Sequence, residues 1–167
     1  DNTYTLTKTN LTVLSFDTTG KLTRIEDRHG NQINLTYTYG QLTKITDPEA
    51  RETTIYYTGD LISQIIDPGL NETNFIYEGG RLTRIEKEVG AWKYTFTYKT
   101  GTSLVESRTD PEGNMTRYKY NPYSEVCRLI DPLGNKTKII YNEPAEQALV
   151  LDRTGKATSF TFNTWRG

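Results

Sequence analysis

Apolar residues fall in two repeating phases around a recurring aspartate. The anchor stands at Asp27, Asp47, Asp67, Asp110, Asp131 and Asp152, with Lys87 in the slot between the third and fourth. The intervals, Lys87 included, are 20, 20, 20, 23, 21 and 21 residues. Two positions before the anchor stand Ile25, Ile45, Ile65, Ile85, Arg108, Leu129 and Val150, and five before it Leu22, Leu42, Ile62, Leu82, Val105, Val126 and Gln147. Eight after it stand Leu35, Ile55, Phe75, Tyr118, Ile139 and Phe160. Ten after it stand Tyr37, Tyr57, Tyr77, Tyr120, Tyr141 and Phe162, while Phe96 and Tyr98 are displaced by one insertion. Offsets six, eight and ten share one face of a strand, because side chains alternate with period two. Offset seven, with Asn34, Thr54, Asn74, Arg117, Lys138 and Ser159, is polar and faces the other way.

Turn residues separate the two phases. Asp-Pro at 47, 67, 110 and 131 suits a turn whose second position has φ near −65°. Gly30, Gly90, Gly113, Gly134 and Gly155 stand three after the anchor, where a left-handed residue closes a hairpin with a bulge. Ala50 and Leu70 break that column, and with Gly69 one place early the turn at Gly69-Leu70 is expected to differ. Shorter turns, as at Tyr39-Gly40 and Gly79-Gly80, and a fuller one at Asp17-Thr18-Thr19-Gly20, link one unit to the next. Strands joined by turns this short run antiparallel.

The pattern predicts an all-β fold, an array of about seven antiparallel hairpins of period 20–23 forming a curved or spiralling strip. The hairpins are expected at 20–26/31–39, 41–46/52–58, 61–66/72–78, 81–86/92–99, 103–109/115–121, 124–130/136–142 and 147–151/157–163. Residues 5–16 read as a decayed half-unit and 163–167 as an incomplete one, so 1–167 is read as a single array. The Ile column is expected to pack with the Tyr column, and Arg108 to mark a local defect with Thr100-Gly101-Thr102. With about fourteen strands, the terminal strands near Leu11–Phe16 and Ser159–Asn163 present unpaired backbone, which invites self-association through the edges.

Composition agrees. The chain has 12 Tyr, 5 Phe and 28 Thr against 5 Ala, a balance that favours strands over helices. Its net charge of −1 argues against nucleic-acid or membrane-surface binding through bulk charge, and no apolar run is long enough for a membrane span. The single Cys127 and single His29 exclude an internal disulfide and a Cys/His zinc site. The chain opens Asp1-Asn2-Thr3 without a basic-then-apolar leader and reads as a mature chain or an excised piece.

Phe16-Asp17-x-x-Gly20-Lys21-Leu22-Thr23-x-Ile25-x-Asp27, with Asp-Pro-x-Gly-Asn and Tyr-x-Tyr in later units, resembles the RHS/YD repeat over about residues 14–162. That family occurs in bacterial polymorphic toxins, wall-associated proteins, insecticidal toxin complexes and teneurins. The resemblance implies a strip of hairpins spiralling into a hollow shell that encloses or displays another domain, a toxin cargo or an adhesion module. It implies a secreted or cell-surface location. The autoproteolytic aspartate segment that ends many such shells has no counterpart in these residues, and after Asp152 an ordinary unit follows. The stretch is therefore read as shell wall, with the rest of a larger shell as its partner.

Candidate chemistry is weighed against that reading. The aspartate column offers oxygens that calcium would accept, but one carboxylate per turn is explained by turn chemistry. His29 is read as an exposed turn residue, and Cys127 as a small strand filler rather than a nucleophile. Glu86 and Glu88 are solvated charges rather than a glycosidase pair. Arg24, Lys44, Arg84 and Arg128 share one offset and would make a basic stripe for an acidic glycan, with cross-strand pairing to Glu26 and Glu86 as the simpler account. Choline-binding wall repeats also use hairpins of about this length, so a glycan- or cell-surface-binding module is the alternative function. Their cages need Trp at a fixed phase, and Trp92 and Trp165 differ in phase. Asn-x-Thr at Asn10, Asn34, Asn71, Asn114 and Asn135 follows from turn Asn before strand Thr. No catalytic, cofactor or metal residue is assigned, and the chain is expected not to be an enzyme.

Overall fold

A computed structural model of the chain describes residues 3–87 and 92–161. Phe162, Glu88, Gly90 and Trp165, named above, lie outside them. Among the described residues there are sixteen strands: β1 (Tyr4–Thr7), β2 (Val13–Phe16), β3 (Leu22–Glu26), β4 (Gln32–Thr38), β5 (Gln41–Thr46), β6 (Glu52–Thr58), β7 (Leu61–Ile66) and β8 (Glu72–Glu78). They continue as β9 (Arg81–Lys87), β10 (Trp92–Tyr98), β11 (Val105–Thr109), β12 (Met115–Tyr120), β13 (Val126–Ile130), β14 (Lys136–Asn142), β15 (Gln147–Leu151) and β16 (Ala157–Thr161). In the sheet order each strand neighbours the next in sequence, from β1 to β16. The only helical element among the described residues is a 3-10 turn at Glu143–Ala145. The described residues divide into two compact units. The first runs to Phe75 and takes in Glu86 and Lys87, and the second comprises Ile76–Ile85 and the strands from Trp92 onward.

The seven expected hairpins are found within a few residues of their predicted bounds. Residues 4–16 hold a complete hairpin rather than half a unit: Tyr4 pairs Phe16 and Thr7 pairs Val13. β2 is therefore paired on both sides, and the N-terminal edge is β1 rather than Leu11–Phe16.

The turns after the anchors share one geometry. The anchor N–H donates to the carbonyl four residues on, and the N–H of the third residue donates back to the anchor carbonyl, as in Asp27 with Asn31 and Gly30. The turn at Asp67 is no exception. Leu70, not Gly69, takes the left-handed conformation (φ 64°) and makes the same bonds, as does Ala50 (φ 61°). The hydrogen bonds of the hairpin hold a backbone that L residues adopt only at some cost.

Within the first unit the apolar columns meet as directly opposed pairs: Leu14 with Ile25, Ile25 with Ile33, Leu35 with Ile45, and Ile55 with Ile65. In the second unit Tyr118 faces Leu129, and Ile139 faces Val150. The Ile and Tyr columns thus share a face, as expected. That face is half-buried: among the described apolar residues only Ile55, 8% exposed, is buried. Arg108 makes no defect. It pairs in register with Phe96 and Thr116, and its guanidinium lies 5.5 Å from the centre of the Tyr94 ring. The extra residues form a closed loop in which the Lys99 N–H donates to the Leu104 carbonyl.

Candidate functional site

The recurring residues build a lock repeated along the sheet. Its first element is a bulge. Columns five and two before the anchor differ by an odd number, so a regular strand would place them on opposite faces. One extra residue brings them together: Thr36 pairs Lys44 while Tyr37 pairs Leu42, and Thr43 is bulged out. The same shift occurs opposite Phe16, Tyr57, Tyr98 and Tyr120. A hydroxyl attends several bulges. The bulged Thr23 and Thr43 donate their hydroxyls to the carbonyls of Ser15 and Thr36 at 3.2 and 3.3 Å, and the Thr83 hydroxyl makes the like bond to the Ile76 carbonyl at 3.3 Å. Cys127 occupies this bulge position on β13.

The second element is the tyrosine. Past the bulge the ladder to the following strand ends, as at Arg24–Asn34 and Lys44–Thr54. The carbonyl of the residue before the bulge then lacks a ladder partner, and a phenol supplies one. Tyr37, Tyr57, Tyr98, Tyr120 and Tyr141 donate to the carbonyls of Leu22, Leu42, Leu82, Val105 and Val126 at 3.0, 2.9, 2.7, 2.7 and 3.0 Å. The separation is 15 residues, or 16 for Tyr98, where the insertion falls. Partial burial raises the Tyr120 and Tyr141 hydroxyls above the ordinary phenol value. From the sequence alone this column suggests packing only. The constant spacing between the two columns was the available signal.

The third element is the anchor carboxylate. Asp27 Oδ1 accepts the N–H groups of His29 and Asn31 at 2.8 and 2.9 Å, and Oδ2 accepts the Asn31 amide at 2.8 Å. All the anchor aspartates, and Asp17, are held below the ordinary carboxylate value. The amide side chain of Asn31, Asn71 or Asn135 is the largest cause at Asp27, Asp67 and Asp131, and a threonine hydroxyl at Asp17 and Asp152. At Asp47 and Asp110 partial desolvation is the largest influence and acts upward, but hydrogen bonds from Arg51 and Asn114 outweigh it. Asn121 plays the same part in the link before β13, accepting from the Tyr123 and Glu125 N–H groups.

The other candidates are dispersed over the strands and turns. His29 is exposed in the β3–β4 turn, where its Nε2 accepts from Arg28 Nε at 2.9 Å. Asn71, Asn114 and Asn135 spend their amides on their own anchors. The basic stripe is partly paired: Arg24 lies 3.8 Å from Glu26 and Lys44 3.0 Å from Glu52. Arg84 and Glu86 have partners of their own, whereas Arg128 stands opposite Lys119 and Lys138. Trp92 meets the Tyr94 ring edge-on at 5.1 Å.

The comparisons with known proteins agree with this architecture. No curated protein matches the chain in sequence. In solved structures the chain is similar to TcdB2-TccC3 without its hypervariable C-terminal region, with TM-score 0.60 and 15% identity, covering 89% of this chain and 9% of that one. It is similar also to TcdB2-TccC3-TEV, with TM-score 0.60 and 14% identity, covering 91% and 10%. The Photorhabdus luminescens Tc holotoxin pore gives TM-score 0.52 and 18% identity over 83% of this chain and 10% of that one. The chain thus spans about a tenth of the length of these structures, and at such identity the likeness is one of fold. The teneurin YD-shell model matches residues 3–162, almost the full span over which anchor, bulge and tyrosine recur, and the chain belongs to the teneurin YD-shell family.

Proposed function

We propose that this chain is one continuous stretch of wall in a larger YD shell, 1–167 forming a single array that encloses or displays another domain and performs no chemistry of its own. The observation that carries this reading is a locked, hairpin-by-hairpin sheet whose apolar face is only half-buried within the chain. A sheet with one apolar face needs a second layer or an enclosed body against it. The family and the Tc toxin structures support the rest of a shell, and a toxin or adhesion domain within or upon it, as that partner. They support a secreted or cell-surface location as well.

On this reading the isolated chain self-associates, through the unpaired backbone of β1 and β16 or through its apolar face. Light scattering from micromolar to millimolar concentration tests it. Concentration-dependent association, reduced by proline at Thr5 and Ser159, is the expected result. A strict monomer at millimolar concentration would overturn the reading.

A further inference from the structure

We propose that the polar face of β12–β14 is a docking surface for a linear acidic glycan, one carrying a carboxylate or sulfate on successive sugars. The strand register makes a compact grid there. Lys119 on β12 stands directly opposite Arg128 on β13, which stands opposite Lys138 on β14. In the next row Arg117 stands opposite Ile130, which stands opposite Lys136. Five of six adjacent positions are cationic, and all five are exposed. Neighbours within a row have Cα atoms about 4.5–5.5 Å apart, and the rows lie roughly 7 Å apart along the strands.

Like charges directly opposed across strands destabilise a sheet, and nothing in the fold relieves them. Among the described residues no carboxylate lies within ion-pair distance of any of the five. Two acids flank the grid on the strands, Glu106 on β11 and Glu125 just before β13. Glu125 accepts instead from the Asn121 amide at 2.6 Å, and Glu106 forms no ion pair. In the first unit the equivalent columns are balanced: Arg24 and Lys44 have glutamates, and Gln64 bonds Glu72 and Asn74.

The features of the grid select the occupant. β12, β13 and β14 are each paired on both sides, so an acidic peptide cannot add to them as a strand and would have only its side-chain charges to offer. This face of β12–β14 carries no aromatic side chain, so single-stranded nucleic acid finds no stacking platform. A polymer with a charge on every monomer, laid across the strands, engages the row through charge alone.

Heparin is the probe, titrated against the whole chain at several salt concentrations. The Lys119→Ser/Arg128→Ser/Lys138→Ser variant should lose at least about tenfold in affinity, and its dependence of log K on log salt should flatten by about one per cation removed. The control Arg24→Gln/Lys44→Gln should bind as the parent does. The triple variant should also melt no lower than the parent, because like-charge repulsion is removed. Should it fail to fold, Arg128→Ser alone carries the test with about one third of the slope change. No binding of heparin by the parent, equal losses in variant and control, or tighter binding of polyglutamate or single-stranded DNA than of heparin would each overturn the proposal.

Discussion

The hairpins β5–β6 and β15–β16 come from the same columns and close differently. On β5 the bulge at Thr43 ends the ladder to β6 at Lys44–Thr54, and Tyr57 bonds the stranded Leu42 carbonyl. On β15 there is no bulge. Ala148 stands where others have threonine, and the ladder to β16 runs unbroken from Gln147–Thr161 to Leu151–Ala157. The residue opposite Tyr141 is then Ala148, so Gln147 is not the equivalent of Leu42. The tyrosine column of that last hairpin is Phe162, which has no hydroxyl. At Leu22, Leu42, Val105 and Val126 bulge and phenol occur together, and in the last hairpin neither is found: a bulge leaves a carbonyl without a ladder partner, and the tyrosine is the group that satisfies it there.

The largest expected effect sets the eighth-position column of one hairpin against that of the other. Ile55→Ala should cost about 2–4 kcal/mol in the bulged hairpin, whereas Phe160→Ala, at a side chain 54% exposed, should cost well under half as much. Urea denaturation followed by circular dichroism measures both. Equal costs would show that the two hairpins are packed alike.

A turn-level change should act with opposite sign. Leu70→Gly relieves a left-handed leucine and should stabilise by about 1 kcal/mol, the relief of strain being partly offset by a freer unfolded chain. Gly134→Ala, at φ 82°, should destabilise by a similar amount. A drop in melting temperature for Leu70→Gly would mean that leucine makes a contact worth more than the strain.

Removing one phenolic oxygen tests the pairing of bulge and tyrosine directly. Tyr57→Phe should cost about 1 kcal/mol, since it leaves a part-buried carbonyl without its donor. Ala148→Thr should bring no gain, because that strand has no bulge for a hydroxyl to bridge. Stabilisation by Ala148→Thr would contradict the account.

Per residue the smallest effect belongs to the anchors, and its sign is fixed. Their native values lie below the ordinary 3.8. Their contribution is therefore complete above about pH 4 and drains away as pH falls through the lowered native values. Melting temperature between pH 5 and 2 should fall only in the lower part of that range, and Asp67→Asn should flatten the fall. The raised Tyr120 and Tyr141 values act at the other end, with stability declining as pH rises past 10.

Much of the fold was legible because anchor, turn and alternating columns agree at every level. Asp-Pro-x-Gly set the turns, and the Tyr-x-Tyr phase set the faces. What escaped was geometry that departs from simple alternation. The bulge at Thr43 cannot be seen by parity counting, which places Leu42 and Ile45 on opposite faces. Leu70 was misread because left-handed turns favour glycine, yet the hairpin enforces the turn on leucine as well. The cationic grid escaped because only Arg117 and Lys138 share an offset, seven after their anchors, whereas Lys119 and Arg128 sit at others, and the four meet only once the strand register is known.

The tyrosine lock reaches back only 15 or 16 residues, and each described ladder joins strands adjacent in sequence. Every unit thus completes its own closure before the next is needed. For folding kinetics this means loops of nearly constant, short length and a growing sheet end that templates the following strand. Such a wall can be laid down from one end as the chain emerges from the ribosome, so the time to finish it grows with the number of units instead of with the search for distant partners.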